Sequence, residues 1–230
     1  MDESYLDEDW RRYQTLDRLS NHWDRPGWTV GRRSYHWLLS LGGHTGLHNL
    51  ATRCQARLVG LPELDLVPLT SLHLTLQRAG FTDEMGGAEA EVVAETATER
   101  CAALAPLTLQ IGPLAGSAGA VRFSTGPPAP IRHLVAELRA AVGQARWTAA
   151  VPDGDRRFIP HVSIAYCNAG TPARPVIERV AALRALGSVT ALVDRVDFVE
   201  LRRECHSYRW DTIATARLKG GAGTDDHSTP

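Results

Sequence analysis

Two short segments of the sequence repeat one pattern. His73-Leu74-Thr75-Leu76 and His161-Val162-Ser163-Ile164 each join a histidine, an apolar residue, a hydroxyl residue and a second apolar residue. Because side chains alternate between the faces of a β-strand, such a strand presents its histidine and hydroxyl on one face and its apolar pair on the other. The repeat therefore predicts two half-buried strands, each carrying one imidazole and one hydroxyl toward a shared surface.

The rest of the sequence alternates between helical and extended patterns. Apolar residues recur at helical spacing near residues 3–20, 46–61, 88–104, 131–142 and 175–186, and extended runs lie near 35–41, 70–78, 107–111, 120–124, 158–168, 189–201 and 208–218. Pro127-Pro128-Ala129-Pro130 divides this pattern into two halves, with one histidine strand in each. We therefore predict an α+β class and a bilobal duplicated fold, in which two antiparallel sheets face a central groove and the helices pack outside.

Three segments follow from this pattern. Residues 1–29 are predicted to form an N-terminal helical extension, and residues 30–218 a single domain with two pseudo-symmetric lobes. Residues 219–230 are glycine-rich and polar, so we expect a disordered tail.

Composition narrows the range of partners and compartments. The 230 residues carry a formal net charge of -1, so an extended interface with duplex nucleic acid, which needs many phosphate contacts, is not expected. The four cysteines form no Cys-x-x-Cys pair, which argues for a reducing compartment and against a zinc site or a disulfide framework. No signal segment and no bilayer-spanning run is recognisable, so we expect a cytoplasmic protein without membrane contact.

Paired imidazoles support acid-base chemistry at phosphorus. Histidine titrates near neutral pH, so one ring can act as a general base while the other, protonated, acts as a general acid, with no cofactor or metal. In an in-line displacement the base activates water or a hydroxyl, and the acid protonates the departing oxygen. Thr75 and Ser163 would donate hydrogen bonds to the non-bridging phosphate oxygens, where negative charge increases in the transition state.

Other motifs give weaker signals. A third His-x-Thr element, His227-Ser228-Thr229, lies in the polar tail and lacks apolar neighbours. His44 and His48 have a spacing that can place two metal ligands on one helix face, but no glutamate follows His44, so we expect a capping or surface role. Ala115-Gly116-Ser117-Ala118-Gly119 differs from the serine hydrolase elbow in its first residue, and no P-loop or dinucleotide fingerprint occurs.

The two tetrapeptides resemble the signature of the two-histidine (2H) phosphoesterase superfamily, in particular its 2'-5' RNA ligase-like and RNA 2',3'-cyclic phosphodiesterase branch. Phe158-Ile159-Pro160 strengthens the likeness, because that family commonly has an aromatic residue, a spacer and a proline before its second histidine. The resemblance implies a bilobal fold over roughly residues 30–218, a metal-independent site in the central groove, and cyclic or 2'-5'-linked phosphodiester substrates. It makes His73 and His161 the acid-base pair and Thr75 and Ser163 the phosphate ligands.

Residues beside the motifs are candidates for substrate binding. Many RNA-processing members of the family continue the first motif with phenylalanine and leucine, whereas this chain has Gln77-Arg78-Ala79-Gly80. Arg78 and Tyr166 each lie five residues after a motif histidine, where an arginine can pair with phosphate and a tyrosine can stack on a base, although strict alternation turns both away from the histidines. Arg156 and Arg157 could bind a phosphate, or they could lie in a solvated charged loop. Tyr35 could line the groove, or it could belong to the hydrophobic core.

The activity expected from these residues is hydrolysis of a 2',3'-cyclic phosphate at an RNA end or in a nucleotide by a monomeric enzyme, with a bell-shaped pH profile if both histidines titrate in the working range. A 2'-5' RNA ligase, or a phosphodiesterase for another cyclic nucleotide, would use the same four residues. A module that binds an RNA end or nucleotide without turnover is the alternative from another class. The roles of acid and base depend on which oxygen of the substrate faces each histidine.

Overall fold

Helices and strands alternate along the chain, as the sequence pattern predicts. The structure is a computed structural model that describes residues 4–145 and 158–220. Within these residues the helices are α1 (Ser4–Gln14), α2 (Thr45–Leu58), α3 (Gly87–Ala102), α4 (Pro128–Ala145) and α5 (Arg174–Leu183), with 3-10 turns at Leu69–Ser71 and Arg184–Leu186. The strands are β1 (Arg33–Ser40), β2 (Leu64–Leu66), β3 (His73–Phe81), β4 (Leu107–Ser117), β5 (Ala120–Gly126), β6 (His161–Cys167), β7 (Val189–Val193), β8 (Arg195–Glu204) and β9 (Ser207–Arg217).

The strands form two antiparallel sheets, one in each lobe. The four-stranded sheet has the order β3-β1-β8-β9, and the five-stranded sheet has the order β2-β6-β5-β4-β7. The four-stranded sheet is strongly curled, since the rings of His73 on β3 and Trp210 on β9 lie 5.1 Å apart although these strands are its opposite edges. The bilobal α+β architecture predicted from the sequence is confirmed.

The two lobes are not the two halves of the sequence. β4 and β5 precede Pro127 and β6 follows it, yet all three belong to the five-stranded sheet, so the predicted seam at 127–130 does not separate the lobes. The run at 189–201, predicted as one strand, is two: β7 pairs with β4, whereas β8 crosses to the other sheet and pairs with β1. This crossover brings the C-terminal hairpin β8-β9 beside strands from the start of the chain.

β4 continues past the glycine and proline at which the sequence pattern predicts that it ends. Pairing with β5 breaks between Ile111 and Leu114 and then resumes with Leu114 opposite Phe123. Gly112 occupies this break with a φ of 117°, in the region that only glycine adopts readily. A strand predicted to stop at Ile111 therefore extends through an irregular step to Ser117.

The helices pack against the two sheets. α3 and α4 pack against each other and against the four-stranded sheet, while α1, α2 and α5 pack on the five-stranded sheet. α1 approaches β4 closely: a Cβ atom added to Gly116 would overlap the ring of Tyr13, which is buried. Among the described helices, none is both long and apolar enough to cross a membrane.

Candidate active site

The two histidine strands meet across the groove between the sheets. β3 is an edge strand of the four-stranded sheet, β6 is the second strand of the five-stranded sheet, and the two strands are in contact. Between them lies a cavity of about 790 Å³ whose lining includes His73, Thr75, His161 and Ser163. The structure therefore brings all four motif side chains to one surface, as the repeated pattern predicts.

A β-bulge in β3 turns Arg78 toward this surface. Thr75 pairs with Leu38 and Arg78 pairs with His36, so Trp37 alone stands opposite two residues of β3, Leu76 and Gln77. Leu38 and His36 lie on one face of β1, and the extra residue in β3 therefore places Arg78 on the same face as Thr75 and His73. Strict alternation would have turned Arg78 away, so that expectation is corrected, and Arg78 lines the cavity.

A second bulge does the same for Tyr166 in β6. Ser163 pairs with Arg122 and Tyr166 pairs with Ala120, so Val121 alone stands opposite two residues of β6, Ile164 and Ala165. Tyr166 consequently lies on the face of His161 and Ser163 and lines the cavity. Both motif strands thus share a bulge directly after the hydroxyl residue, in addition to the tetrapeptide itself.

Backbone carbonyls orient both motif histidines in the same way. The Nδ1 atom of His73 lies 2.8 Å from the carbonyl oxygen of Ser71, and that of His161 lies 2.7 Å from the carbonyl oxygen of Ile159. A carbonyl oxygen only accepts, so Nδ1 must carry the proton, and the neutral ring then has its lone pair on Nε2. Each imidazole therefore has one nitrogen fixed by the backbone and the other available for proton transfer.

Burial lowers the pKa of both motif histidines. For His161 desolvation is the largest cause and the nearby charge of Arg122 adds to it, so that its pKa falls to about 3. For His73 desolvation lowers the pKa, and the hydrogen bond to Ser71 partly opposes this effect. Both rings are therefore mainly neutral at pH 7 in the ligand-free cavity, and a bound phosphate would raise both pKa values by favouring the imidazolium form.

A buried ion pair connects α1 to the wall of the cavity. Arg122, which lies opposite Ser163 in the sheet, donates to both carboxylate oxygens of Asp9 at 3.0 and 2.6 Å. The hydroxyl of Ser124 donates to the same carboxylate at 2.5 Å. Arg122 and Asp9 are both 4% exposed, so this contact holds the N-terminal helix against the strand beside β6.

The sequence also matches a described family. Residues 49–204, which include both histidine strands, match the model of the 2'-5' RNA ligase superfamily. This chain belongs to the 2'-5' RNA ligase superfamily. The resemblance inferred from the two tetrapeptides is thereby confirmed.

Solved structures share the fold of this superfamily member at low sequence identity. TT0787 of Thermus thermophilus aligns with a TM-score of 0.58 and 20% identity, over 83% of this chain and 100% of that one. Escherichia coli LigT complexed with 3'-AMP aligns with a TM-score of 0.61 and 13% identity, over 81% of this chain and 98% of LigT. ATU0111 from Agrobacterium tumefaciens aligns with a TM-score of 0.57 and 11% identity, over 87% of this chain and 91% of that one. No curated protein matches the sequence significantly.

Residues that precede the 2'-5' RNA ligase superfamily match also reach the cavity. His22 lines it and stacks on Tyr166, with ring centroids 4.0 Å apart. Trp23 and Tyr208 approach Tyr166 edge-on at 5.3 and 5.4 Å. Tyr166 is thus enclosed by other rings and only 5% exposed, so the free stacking surface predicted for a base is covered by His22.

The remaining residues predicted to bind substrate do not line the cavity or lie outside the described residues. Tyr35 is buried on the opposite face of β1, where it stacks on Phe198 at 5.6 Å, and it is not part of the cavity lining, so the core alternative applies. Arg156 and Arg157 lie outside the described residues. His44 directly precedes α2 and makes no capping hydrogen bond with its side chain.

The superfamily motifs alone do not reveal several lining residues. They are three arginines and one half-buried histidine: Arg25, Arg122, Arg139 and His36. Their positions depend on bulges and on contacts between distant segments, and none belongs to a recognisable local motif. Among the described residues, no group of three or more His, Cys, Asp or Glu side chains is arranged to hold a metal ion.

Proposed function

We propose that this member of the 2'-5' RNA ligase superfamily opens 2',3'-cyclic phosphates at RNA ends or in nucleotides and releases a phosphomonoester. The observation that carries the proposal is the matched pair of imidazoles. Both line one cavity, and both have Nδ1 bound to a backbone carbonyl two residues earlier. This arrangement supports two Nε2 atoms acting on opposite sides of one phosphorus atom.

The reaction consumes one water molecule. The water oxygen bonds to phosphorus while one ribose oxygen leaves, and the neutral histidine accepts the proton that the water loses. The other histidine, protonated when the anionic substrate is bound, gives its proton to the leaving ribose oxygen. Thr75 and Ser163 hydrogen-bond the non-bridging oxygens, where charge increases in the transition state. No step requires a cofactor.

The charge of the cavity supports an anionic substrate. Its lining contains four arginines and one carboxylate residue within the described part of the chain, Arg25, Arg78, Arg122, Arg139 and Asp24, and of these arginines Arg122 is paired with Asp9. Guanidinium groups pair well with phosphate, because their N–H donors match the spacing of its oxygens. The E. coli LigT structure holds 3'-AMP, a nucleoside monophosphate of the kind that this hydrolysis would release.

The test is turnover of an RNA oligonucleotide that ends in a 2',3'-cyclic phosphate, with products identified by chromatography in the presence of EDTA. His73→Ala and His161→Ala should each lower kcat by roughly 10²- to 10⁴-fold, the usual contribution of a general acid or base. His133→Ala is the matched control, because His133 lies on α4 with a side chain that is 64% exposed.

A double variant His73→Ala/His161→Ala that retains full activity would refute the acid-base assignment. Tight binding of the cyclic end without any product would favour the non-catalytic module. Joining of the end to a 5'-hydroxyl RNA in place of hydrolysis would identify a ligase that uses the same four groups.

A further inference from the structure

One wall of the cavity comes from a segment that precedes the family match. Residues 20–28, here called the N-terminal wall, contribute lining residues that include His22, Arg25 and Trp28. Backbone hydrogen bonds fix its start: Ser20 N–H donates to the Ala118 carbonyl at 2.8 Å, and His22 N–H donates to the Cys167 carbonyl at 2.7 Å. The wall is therefore attached to the end of β6 and to the turn between β4 and β5.

His22 holds Arg25 in place and is not available for proton transfer. Arg25 donates through Nε to the His22 carbonyl, and a terminal nitrogen of Arg25 lies 3.2 Å from His22 Nδ1. A guanidinium only donates, so Nδ1 of His22 accepts, and Nε2–H donates to the Tyr208 hydroxyl at 2.8 Å. Two of the five N–H groups of Arg25 are thus used for positioning, and three remain.

No carboxylate neutralises Arg25 within the described residues, in contrast to Arg122, which is paired with Asp9. Asp24, its neighbour in sequence, forms no side-chain hydrogen bond or ion pair with it among these residues. An arginine held at a cavity wall without a counter-ion is suited to an anionic group of a ligand.

Arg25 lies near the fifth position of both motifs. Its charge contributes to lowering the pKa of His22, which stacks on Tyr166, and of His36, which pairs with Arg78. The His22 ring, which accepts a hydrogen bond from Arg25, stacks on Tyr166 with ring centroids 4.0 Å apart. Tyr166 lies three residues past Ser163 and lines the same cavity, so Arg25 lies beyond the motif residues of β6, where a second group of the substrate can reach it.

We propose that Arg25 binds a second phosphate of the substrate, namely the 5'-phosphate of the nucleoside whose cyclic phosphate is opened. The identity of the first phosphate rests on the proposed function above. The preferred substrate is then an RNA end, in which this 5'-phosphate is the next backbone linkage, and not a free cyclic mononucleotide.

Binding of two products tests this without turnover. Calorimetry compares adenosine 3',5'-bisphosphate with 3'-AMP on the wild type, Arg25→Ala, Arg25→Lys and Arg132→Ala. Arg132 is an exposed arginine of α4 outside the cavity lining, so its variant removes the same charge elsewhere. We expect the wild type to bind the bisphosphate about ten- to a hundredfold more tightly than 3'-AMP, as a charged hydrogen-bonded contact predicts.

Arg25→Ala should abolish this preference by lowering the affinity for the bisphosphate far more than the affinity for 3'-AMP, whereas Arg25→Lys should keep part of the preference and Arg132→Ala all of it. Equal affinity of the wild type for both ligands, a preference that survives in Arg25→Ala, or an equal loss for both ligands would overturn the proposal. If no cyclic phosphate is opened in the turnover assay but the preference depends on Arg25, the proposed reaction fails and the second phosphate site stands.

Discussion

Replacing Asp9 by asparagine tests whether its buried ion pair with Arg122 stabilises the fold. The Asp9 carboxylate accepts three hydrogen bonds, two from Arg122 and one from Ser124. The side chains of Asp9 and Arg122 are each 5% exposed, so water cannot replace the lost charge. Asp9→Asn therefore leaves a buried guanidinium without a counter-charge.

Removing one partner of a buried ion pair lowers the free energy of unfolding by about 3–5 kcal/mol. Asparagine keeps one oxygen that can accept a hydrogen bond from Arg122 or Ser124, so we expect a loss of about 3 kcal/mol, at the lower end of this range. For a chain of this size 1 kcal/mol shifts Tm by about 2–4 °C, so Tm should fall by about 6–12 °C.

Thermal unfolding followed by circular dichroism at pH 7 measures this shift. Asp7→Asn is the matched control, because Asp7 is exposed on the same helix and should change Tm little. The double variant Asp9→Leu/Arg122→Met removes both charges and should recover most of the lost stability, since apolar replacements of buried pairs are often neutral. A Tm for Asp9→Asn within about 2 °C of the wild type, which corresponds to a loss of only about 0.5–1 kcal/mol, would contradict this account of the ion pair. A double variant as unstable as Asp9→Asn would show that the unpaired charge is not the cause.

Two further predictions concern titration and reactivity. Burial lowers the pKa of His22 to about 2 and of His36 and His161 to about 3, below their values in the unfolded chain, so between about pH 6.5 and 3 the unfolded chain binds more protons. The stability present above pH 6.5 is lost as the pH falls, by up to ~1.4 kcal/mol per pH unit for each histidine. Urea unfolding at pH 7 and at pH 5 measures this loss. An unchanged urea concentration at the midpoint of unfolding would contradict it. A thiol reagent should label the exposed Cys205 in the native protein and all four cysteines after unfolding, because Cys54, Cys101 and Cys167 are buried with pKa values raised to about 11, 11 and 12. Rapid native labelling of a second thiol would argue against the burial.

Local sequence patterns predicted most elements because the periodicity of apolar residues reflects which face is buried. The pattern at 46–61 corresponds to α2, Thr45–Leu58, and that at 88–104 to α3, Gly87–Ala102. The errors occurred where pairing, and not local preference, defines a strand. The run at 189–201 is uniformly extended, and only its partners, β4 for one part and β1 for the other, divide it between two sheets.

The positions of Arg78 and Tyr166 could not be predicted from alternation. A bulge exists only relative to a partner strand, because it is a mismatch in the number of residues between two paired positions. β1 supplies that partner for β3 and β5 supplies it for β6, and the pattern of either motif strand alone contains no sign of the extra residue.

The chemistry of the candidate site is already specified by the order of residues along two strands. Two histidines and two hydroxyl residues at alternate strand positions define which groups share a face, because the periodicity of a strand is local. The surroundings of these groups depend on long-range packing. Asp9 reaches Arg122 across 113 residues of sequence and His22 reaches Tyr208 across 186, and such contacts arise only when distant segments pack together. Burial, charge pairing and the wall that carries Arg25 are therefore properties of the folded chain, and they determine the surroundings of the four motif side chains.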